Sequence, residues 1–267
     1  MNATEVSQSP SLDTPLLVTN AAAYHFANLA DLGALRSRLQ AYCRTAQLRG
    51  TILISTEGVN LFVAGERAAV DGLLSELRTI AGLQDLNVKF SLSAAQPFRR
   101  MLVKVKKEII AFGITTIDPI DRPAPRIAPA QLKAWLDEGR EVVLLDTRND
   151  YEVKLGTFRN AHAIGVDHFR QFPDAVSSLP ATMKDQLIVS FCTGGIRCEK
   201  AAPFLIDQGF TNVYQLDGGI LKYFGETGGA HFEGHCFVFD ARREVGSDLQ
   251  PVTAEMPPNH DDVGHPM

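Results

Sequence analysis

The spacing of apolar residues changes several times along the first half of the chain. Alternating apolar and polar residues at 24–29 and 86–92 are typical of strands, whereas apolar residues three and four apart at 32–42 and 70–77 are typical of amphipathic helices. Two short apolar runs within 51–64 flank a Glu-Gly pair, which is the pattern of a hairpin. The predicted elements therefore follow one another in the order β-α-β-β-α-β.

That order is typical of a ferredoxin-like α+β sandwich. We predict such a domain over residues 23–113, with one or two further strands at 101–112. The preceding residues 1–22 are rich in Ser, Thr, Pro and Asn, so we expect a disordered arm. Four prolines fall within residues 114–129. Because proline fixes φ and removes an amide donor, this segment is predicted to be a semi-rigid linker.

The second half of the chain has a different pattern. Apolar strands, such as those at 142–145 and 187–191, alternate with helical patterns, which predicts a parallel α/β sheet in a second domain over residues 130–228. Residues 229–245 are predicted to form a C-terminal extension with one short strand. Pro, Asp and His dominate residues 246–267, and we expect a disordered tail there.

Charge and composition limit the range of functions. The chain has 267 residues, of which 45% are hydrophobic, and a net charge of −5. The acidity lies at the ends: residues 24–243 hold all 26 Lys and Arg but only 24 of the 31 Asp and Glu, so the body of the chain can face a polyanion. No apolar run approaches the ~18 residues of a membrane span, and the first residues do not resemble a secretory signal. We therefore expect a cytoplasmic protein.

One short segment has the pattern of a reactive site. An apolar strand leads into Cys192, a glycine-containing loop follows, and a helix is predicted from about Cys198. Ligands of open α/β sheets lie at the carboxyl ends of strands, and a loop that closes onto a helix N-terminus directs several backbone amides at one point. These amides and Arg197 favour a thiolate at Cys192, so its pKa should be lowered. We predict Cys192 as the catalytic residue, in an active-site loop completed by Thr193, Gly194, Gly195, Ile196 and Arg197.

The length of this loop discriminates between chemistries. The loop from Cys192 to Arg197 has six residues, one fewer than the loop with which cysteine phosphatases hold a phosphate group. The tighter loop suits a single extra atom on the cysteine, such as the outer sulfur of a persulfide. None of the four cysteines forms a C-x-x-C pair, which argues against a zinc ribbon, and their low number argues against a disulfide framework.

Six polar or thiol-bearing neighbours of the loop are candidates for supporting roles: Asp146, Arg148, Glu152, Cys198, Glu199 and Lys200. For the three upstream residues, an ion pair that holds the loop explains the pattern as well as direct chemistry does. The cysteine is either a resolving thiol or a packing residue of the first helical turn. The glutamate beside it most simply complements the helix dipole, and the lysine either reaches a phosphate or is solvated.

These motifs resemble known proteins. The loop and the upstream Asp146-Thr147-Arg148, Glu152, Gly156 and Ala161 are similar to the pattern of rhodanese domains. Longer blocks in both halves of the chain resemble the oxygen-dependent tRNA uridine hydroxylases, which join a ferredoxin-like domain to a rhodanese domain. The matching blocks are GTILISTEGVN (50–60), PFRRMLVKVKKEIIAFG (97–113), DTRNDYEVKLGTF (146–158), CTGGIRCEKA (192–201), LDGGILKYF (216–224) and GHCFVFDARREV (234–245).

The resemblance implies hydroxylation of the wobble uridine, position 34 of the tRNA, to 5-hydroxyuridine with molecular oxygen. In that family, the cysteine at the position that matches Cys192 is the active-site residue, which implies the same role for Cys192. Cys192 would either add to C6 of the uracil and activate C5, or deliver the oxygen as a persulfide or an oxidised cysteine. The chain departs from some relatives, which carry a longer C-terminal region rich in Cys and His.

Basic residues near the end of the first domain are candidates for RNA contact. A run of five charges in nine residues is often only a solvated edge strand, where lysine also blocks edge pairing. Because of the resemblance, we favour contact with the phosphates of a tRNA anticodon stem-loop, and we expect no DNA or membrane partner. The candidate RNA-binding residues are Arg99, Arg100, Lys104, Lys106, Lys107 and, outside this run, Lys222.

Two other functions fit parts of the sequence. A sulfurtransferase that works through a persulfide on Cys192 uses the same loop, and a non-catalytic RNA-binding module needs only the basic run. A phosphatase fits least, because of the loop length. No G-x-G-x-x-G fingerprint supports a dinucleotide, so we expect molecular oxygen as a co-substrate and no further cofactor beyond a persulfide. His231-Phe232-Glu233 begins like an iron-binding triad, but His235 is too near and His260 lies in the tail, so we expect no metal.

Overall fold

The first half of the chain forms a five-stranded sheet with two helices, in a computed structural model that describes residues 17–252. Its elements are β1 (Val18–Phe26), α1 (Leu32–Thr45), β2 (Arg49–Ser55), β3 (Gly58–Gly65), α2 (Arg67–Arg78), β4 (Val88–Ser93) and β5 (Met101–Val105). The strand order is β4-β1-β3-β2-β5, antiparallel except that β5 is parallel to β2. The first four strands and two helices confirm the ferredoxin-like prediction, and β5 is one of the further strands expected at 101–112.

The two faces of this sheet contact different partners, because successive strand residues point to opposite sides. On β1, Ala21 and Ala23 pack in the apolar core beneath α1 and α2. Tyr24 points to the opposite face, where its hydroxyl bonds to a residue of the second domain. Lys89 of β4 also reaches the second domain, where its Nζ donates to the carbonyl of Gly194. One face of the sheet therefore builds the core of the first domain, and the other contacts the second domain.

Strand β1 begins earlier than the sequence pattern predicts. Residues 18–22, assigned above to the disordered arm 1–22, pair with β3 on one side and β4 on the other. This segment has no long apolar run and is held instead by backbone pairing. Its Asn20 side chain is buried and donates to Ser93 Oγ at 3.1 Å. That part of the prediction is wrong, and residues 1–16 lie outside the described residues.

The second domain is a parallel α/β sheet, which confirms the predicted fold class. Its elements, with those of the C-terminal extension, are β6 (Arg126–Ile127), α3 (Pro129–Asp137), β7 (Val143–Asp146), α4 (Asp150–Val153), β8 (Gly156–Phe158), β9 (His162–Ala163), α5 (Phe172–Val176), β10 (Leu187–Phe191), α6 (Ile196–Asp207), β11 (Asn212–Leu216), α7 (Gly219–Thr227), β12 (Phe232–Gly234), β13 (Cys236–Phe237) and β14 (Glu244–Val245). The strand order is β6-β11-β10-β7-β9, parallel throughout. Helices α5 and α6 pack on one face and α3 and α7 on the other. No helix within residues 17–252 is long and apolar enough to cross a membrane.

The proline-rich segment 114–129 is not a linker throughout. Its residues Arg126 and Ile127 form β6, which pairs with Gln215 and Leu216 of β11 at the edge of the second sheet. Ile127 is buried in the apolar core, so burial and strand pairing hold a segment whose prolines predict only stiffness. The second domain therefore begins a few residues before the predicted position 130.

The C-terminal extension 229–245 packs along the second domain. Strand β12 pairs antiparallel with β8, and β13 pairs antiparallel with β14. Of the segment 246–267 predicted to be disordered, the structure describes residues up to 252, and Pro251 forms a β-bridge with Val245. The tail prediction therefore begins too early, and its residues 253–267 lie outside the described part of the chain.

Candidate active site

The predicted loop lies where strand β10 ends and helix α6 begins. Cys192 directly follows β10, and the backbone N–H of Gly195 donates to Cys192 Sγ at 3.1 Å. Gly195 has φ of +99°, a conformation that favours glycine, and a β-carbon at this position would lie 2.9 Å from the hydroxyl of Tyr24. Helix α6 starts at Ile196, two residues before the expected start near Cys198, so the amides at its N-terminus belong to the loop itself.

The surroundings of Cys192 favour a thiolate. Burial alone raises the pKa of this thiol, but the hydrogen bond from Cys198, the positive charge of Arg197 and the amides of Arg197 and Gly195 outweigh it and lower the pKa to about 5. The pKa of Cys198 moves the other way, well above its ordinary value, because the thiol is buried and binds the Cys192 sulfur. Cys198 therefore keeps its proton beside the Cys192 thiolate, and its Sγ also lies 3.7 Å from Thr147 Oγ1.

Arg197 and Glu152 form a buried ion pair beneath the loop. The two guanidinium nitrogens of Arg197 donate to the two carboxylate oxygens of Glu152 at 2.5 and 2.7 Å, and Thr193 Oγ1 donates to the same carboxylate at 3.3 Å. Burial alone raises the pKa of Glu152. The charge and hydrogen bonds of Arg197 outweigh burial and hold the pKa below its ordinary value, so the carboxylate stays ionised. The pair orients Arg197 so that its charge acts on Cys192 through space, while its side-chain hydrogen bonds go to Glu152.

Asp146 and Arg148 form a second buried ion pair, at the end of the neighbouring strand β7. Arg148 Nη2 donates to Asp146 Oδ2 and to the carbonyl of Gly156, both at 2.6 Å. Thr157 Oγ1 donates to Asp146 Oδ2 at 2.7 Å. Neither charged side chain is exposed, and both bind backbone or neighbouring polar groups. This geometry favours a structural role for the pair, in holding the segments on either side of helix α4.

Glu199 and Lys200 lie at the junction of the two domains. Glu199 is buried and accepts hydrogen bonds from Tyr24 (2.9 Å), Arg126 (2.7 Å) and Gln215 (3.1 Å). Lys200 is 1% exposed, and its Nζ binds two carboxylates of the first domain, those of Glu57 and Glu108, each at 2.8 Å. The expectation of a solvated or phosphate-binding lysine is therefore wrong, because the first domain buries this side chain.

A cleft of about 300 Å³ opens between the domains beside the loop. The first domain contributes Tyr24 and Lys89 to its wall, and the second contributes Arg126, Glu199 and Asp217. Lys89 Nζ donates to the Gly194 carbonyl at 2.6 Å, so it crosses directly from the first domain to the loop. Burial raises the pKa of Tyr24 well above its ordinary value, and the charge of Glu199 and the hydrogen bond to it add to this effect.

Sequence reasoning missed the three residues Tyr24, Lys89 and Arg126. No local motif marks them, because they reach the site through strand pairing and domain packing. The register of β1 and β4 places Lys89 beside Ala22, two positions from Tyr24 on the same face of the sheet. Arg126 lies in the segment predicted to be a linker. The alternating pattern that begins at Tyr24 predicts which face of the sheet this residue lies on, but not its neighbour from the other domain.

Comparison with known proteins gives the family. Residues 18–109 match the UPF0176 acylphosphatase like domain and residues 128–226 match the Rhodanese-like domain. Proteins named tRNA uridine(34) hydroxylase from Cupriavidus necator, Thiobacillus denitrificans and Bordetella avium are 49%, 51% and 50% identical over 240 residues, which are 88% of this chain and 85%, 97% and 99% of theirs. The chain belongs to the tRNA uridine(34) hydroxylase family. This finding confirms the resemblance read from the sequence blocks.

The basic run of this hydroxylase-family chain lies at the sheet edge away from the cleft. Lys104 is on β5, and Arg99, Arg100, Lys106 and Lys107 flank the strand and are exposed. Two strands separate β5 from β1, which corresponds to about 14 Å between those strands at ordinary strand spacing. The structure therefore does not bring this run to the loop, and its RNA contact stays a prediction.

Lys222, the sixth candidate for RNA contact, binds acidic neighbours instead of standing free. Its Nζ bonds to Asp217 and lies 3.6 Å from Glu226. The hydrogen bond to Asp217 raises the pKa of Lys222. Much of its charge is thus balanced within the chain, which weakens the case for a phosphate contact.

No group of three or more His, Cys, Asp or Glu side chains that could hold a metal ion occurs within residues 17–252. His231 Nε2 lies 2.7 Å from Asp137 Oδ1, and His235 Nδ1 lies 3.5 Å from Glu244. His260 lies outside the described residues. In the part that the structure describes, each of these two histidines therefore contacts a carboxylate from another segment of the chain.

Proposed function

We propose that this protein hydroxylates C5 of uridine 34 in tRNA to give 5-hydroxyuridine, with molecular oxygen as the co-substrate. The observation that carries the proposal is the Cys192 thiolate in a loop that contacts Tyr24 and Lys89, two residues lining a cleft to which both domains contribute. The family supports the same reaction, because the relatives named for it match the chain across both domains.

The proposed chemistry uses the thiolate as a nucleophile. Cys192 Sγ adds to C6 of the uracil, which gives C5 the electron density to react with oxygen. One oxygen atom stays on C5, the C5 proton is lost and the thiolate leaves C6. The second oxygen atom leaves as water, which consumes two electrons and two protons from a reductant of the thiol class, oxidised to a disulfide. Because Cys192 is fully buried, the side chains that cover its sulfur have to shift when the ring enters.

A plain sulfurtransferase fits this site less well. Small sulfur donors such as thiosulfate are anions, whereas three carboxylates, of Asp85, Glu199 and Asp217, line the cleft with only two cations, Lys89 and Arg126. An approach that is not net positive does not concentrate an anion. A phosphatase is disfavoured by the same charges and by the six-residue loop.

The RNA partner is proposed to be the anticodon stem-loop. Its unpaired wobble nucleotide leaves the stack at low cost, and single-stranded loops are the usual targets of base-specific RNA recognition. The exposed cations that flank β5 would contact the phosphates of the stem. We propose a cytoplasmic enzyme that needs no resident cofactor.

Isotope labelling tests the proposal. Unmodified substrate tRNA is incubated with the protein and a thiol reductant under oxygen-18 gas, and its nucleosides are analysed by mass spectrometry. We expect one heavy oxygen on the wobble uridine, and none when the label is in the water. Absence of any oxygen gain, together with rapid thiosulfate:cyanide turnover, would replace the hydroxylase with the sulfurtransferase.

A further inference from the structure

The interdomain cleft has the size of a site for one nucleotide. Its volume of about 300 Å³ is at the lower end of the roughly 300–1,000 Å³ of small-molecule sites. A base that is modified by an enzyme leaves its stack and enters a pocket of its own. The cleft is next to the loop of Cys192, because two residues of its wall are next to that loop. The Tyr24 hydroxyl lies beside Gly195, and Lys89 Nζ donates to the Gly194 carbonyl.

The charges of the cleft favour a neutral ligand. Arg126 is paired with Glu199 and Asp217, and Lys89 is engaged by the Gly194 carbonyl. The carboxylates outnumber the cations, and a phosphate would meet net negative charge here. A pyrimidine ring is neutral and polar, so it enters without this penalty while its phosphates stay outside.

The wall also offers groups that suit a pyrimidine ring. Tyr24 presents an aromatic side chain, and Asn87 presents an amide at the rim. Asn87 is exposed at the edge of the cleft, so the donor and the acceptor of its amide are both accessible to a ligand. An amide matches the adjacent N–H and carbonyl of a uracil edge in two hydrogen bonds, and an aromatic ring provides a stacking surface.

We propose that this cleft is the binding site for the base of nucleotide 34, with Tyr24 as the residue that the ring packs against and Asn87 as a reader of its polar edge. The inference rests on the proposed function for the identity of the nucleotide. It assigns to the first domain a direct part in binding the reacting base, in addition to any grip on the RNA backbone.

Binding measured without turnover tests the site independently of the reaction. The wild-type protein is titrated under nitrogen with two anticodon stem-loops, one with uridine at position 34 and one with an abasic nucleotide there. We expect the uridine stem-loop to bind at least tenfold more tightly, about 1.4 kcal/mol. Tyr24→Ala should remove most of that preference, whereas Tyr24→Phe, which loses only the hydroxyl bonded to Glu199, should keep it.

Two internal controls make the result decisive. Tyr24→Ala should bind the abasic stem-loop as the wild type does, which shows that the variant is folded. Asn87→Ala should lower the preference for uridine severalfold without changing the abasic affinity. Equal affinities of the wild type for the two stem-loops, or an unchanged preference in Tyr24→Ala, would overturn the proposal. Oxygen gain in the labelling experiment would still hold in that case, so the two proposals fail separately.

Discussion

Replacing Gly195 by alanine tests how the loop holds the thiolate. Gly195 has φ of +99°, and a β-carbon there would lie 2.9 Å from the Tyr24 hydroxyl. Its neighbour Gly194 is a matched control, because its φ is not in the left-handed region and the nearest atom to a β-carbon there is Lys89 Nζ, at 3.9 Å. The two substitutions add the same methyl group to adjacent positions, so a difference between them reports on the loop conformation.

The size of the effect follows from two contributions. An L-residue in the left-handed region costs roughly 1–3 kcal/mol, and the clash with Tyr24 adds to it, so the loop should move. Movement weakens the hydrogen bond from the Gly195 N–H to Cys192 Sγ, a bond to a charged group worth about 1.5–3 kcal/mol. Since 1.36 kcal/mol corresponds to one pH unit, the pKa of Cys192 should rise by roughly 1–2 from its value of about 5.

Ultraviolet absorbance of the thiolate, titrated against pH, measures this change. Burial raises the pKa values of Cys43 and Cys236 to about 12 and that of Cys198 well above its ordinary value, so Cys192 is the one cysteine of the four that titrates below neutral pH. We expect a higher midpoint and at least tenfold slower hydroxylation in Gly195→Ala, and values near wild type in Gly194→Ala. Identical titrations of the two variants would refute the reasoning.

Three further outcomes follow from the same geometry. Cys198→Ala removes a thiol whose hydrogen bond lowers the pKa of Cys192, so this pKa should rise. Because the thiolate is the form that is lost as pH falls, hydroxylation by the variant should drop at pH ~6 but not at pH ~8. Lys200→Met removes the cation shared by two carboxylates at the domain junction and should lower the urea-measured free energy of unfolding by about 3 kcal/mol, against less than ~1 for Lys133→Met, whose ion pair lies at the surface. Lys106→Ala should reduce by about one the slope of the logarithm of the tRNA binding constant against the logarithm of salt concentration. An unchanged slope would mean that the sheet edge at β5 is solvated and does not contact RNA.

The features that could be predicted from the sequence are those that residues close together in the chain specify. The ferredoxin-like order of the first domain follows from changes of apolar period, and the loop of Cys192 follows from a strand, two glycines and an arginine in succession. Each of these signals lies within a few residues of the feature that it specifies.

The features that could not be predicted depend on contacts between distant parts of the chain. Residues 18–22 form a strand because β3 and β4 pair with them on both sides, and β6 forms in a proline-rich segment because β11 lies beside it. The sequence does not indicate that Lys200 is buried, because the carboxylates that bind it, of Glu57 and Glu108, belong to the first domain. Tyr24 reaches the site by the same domain packing, which leaves no periodic signal.

Mass spectrometry of nucleosides from tRNA treated with two cysteine variants tests the central claim most directly. Cys192→Ser removes the thiolate of the loop, and Cys43→Ala removes a buried thiol in the core of the first domain, on helix α1. We predict that the wild type and Cys43→Ala add one oxygen to the wobble uridine and that Cys192→Ser adds none. Full hydroxylation by a folded Cys192→Ser protein would contradict the account, because the chemistry would then lie outside this loop.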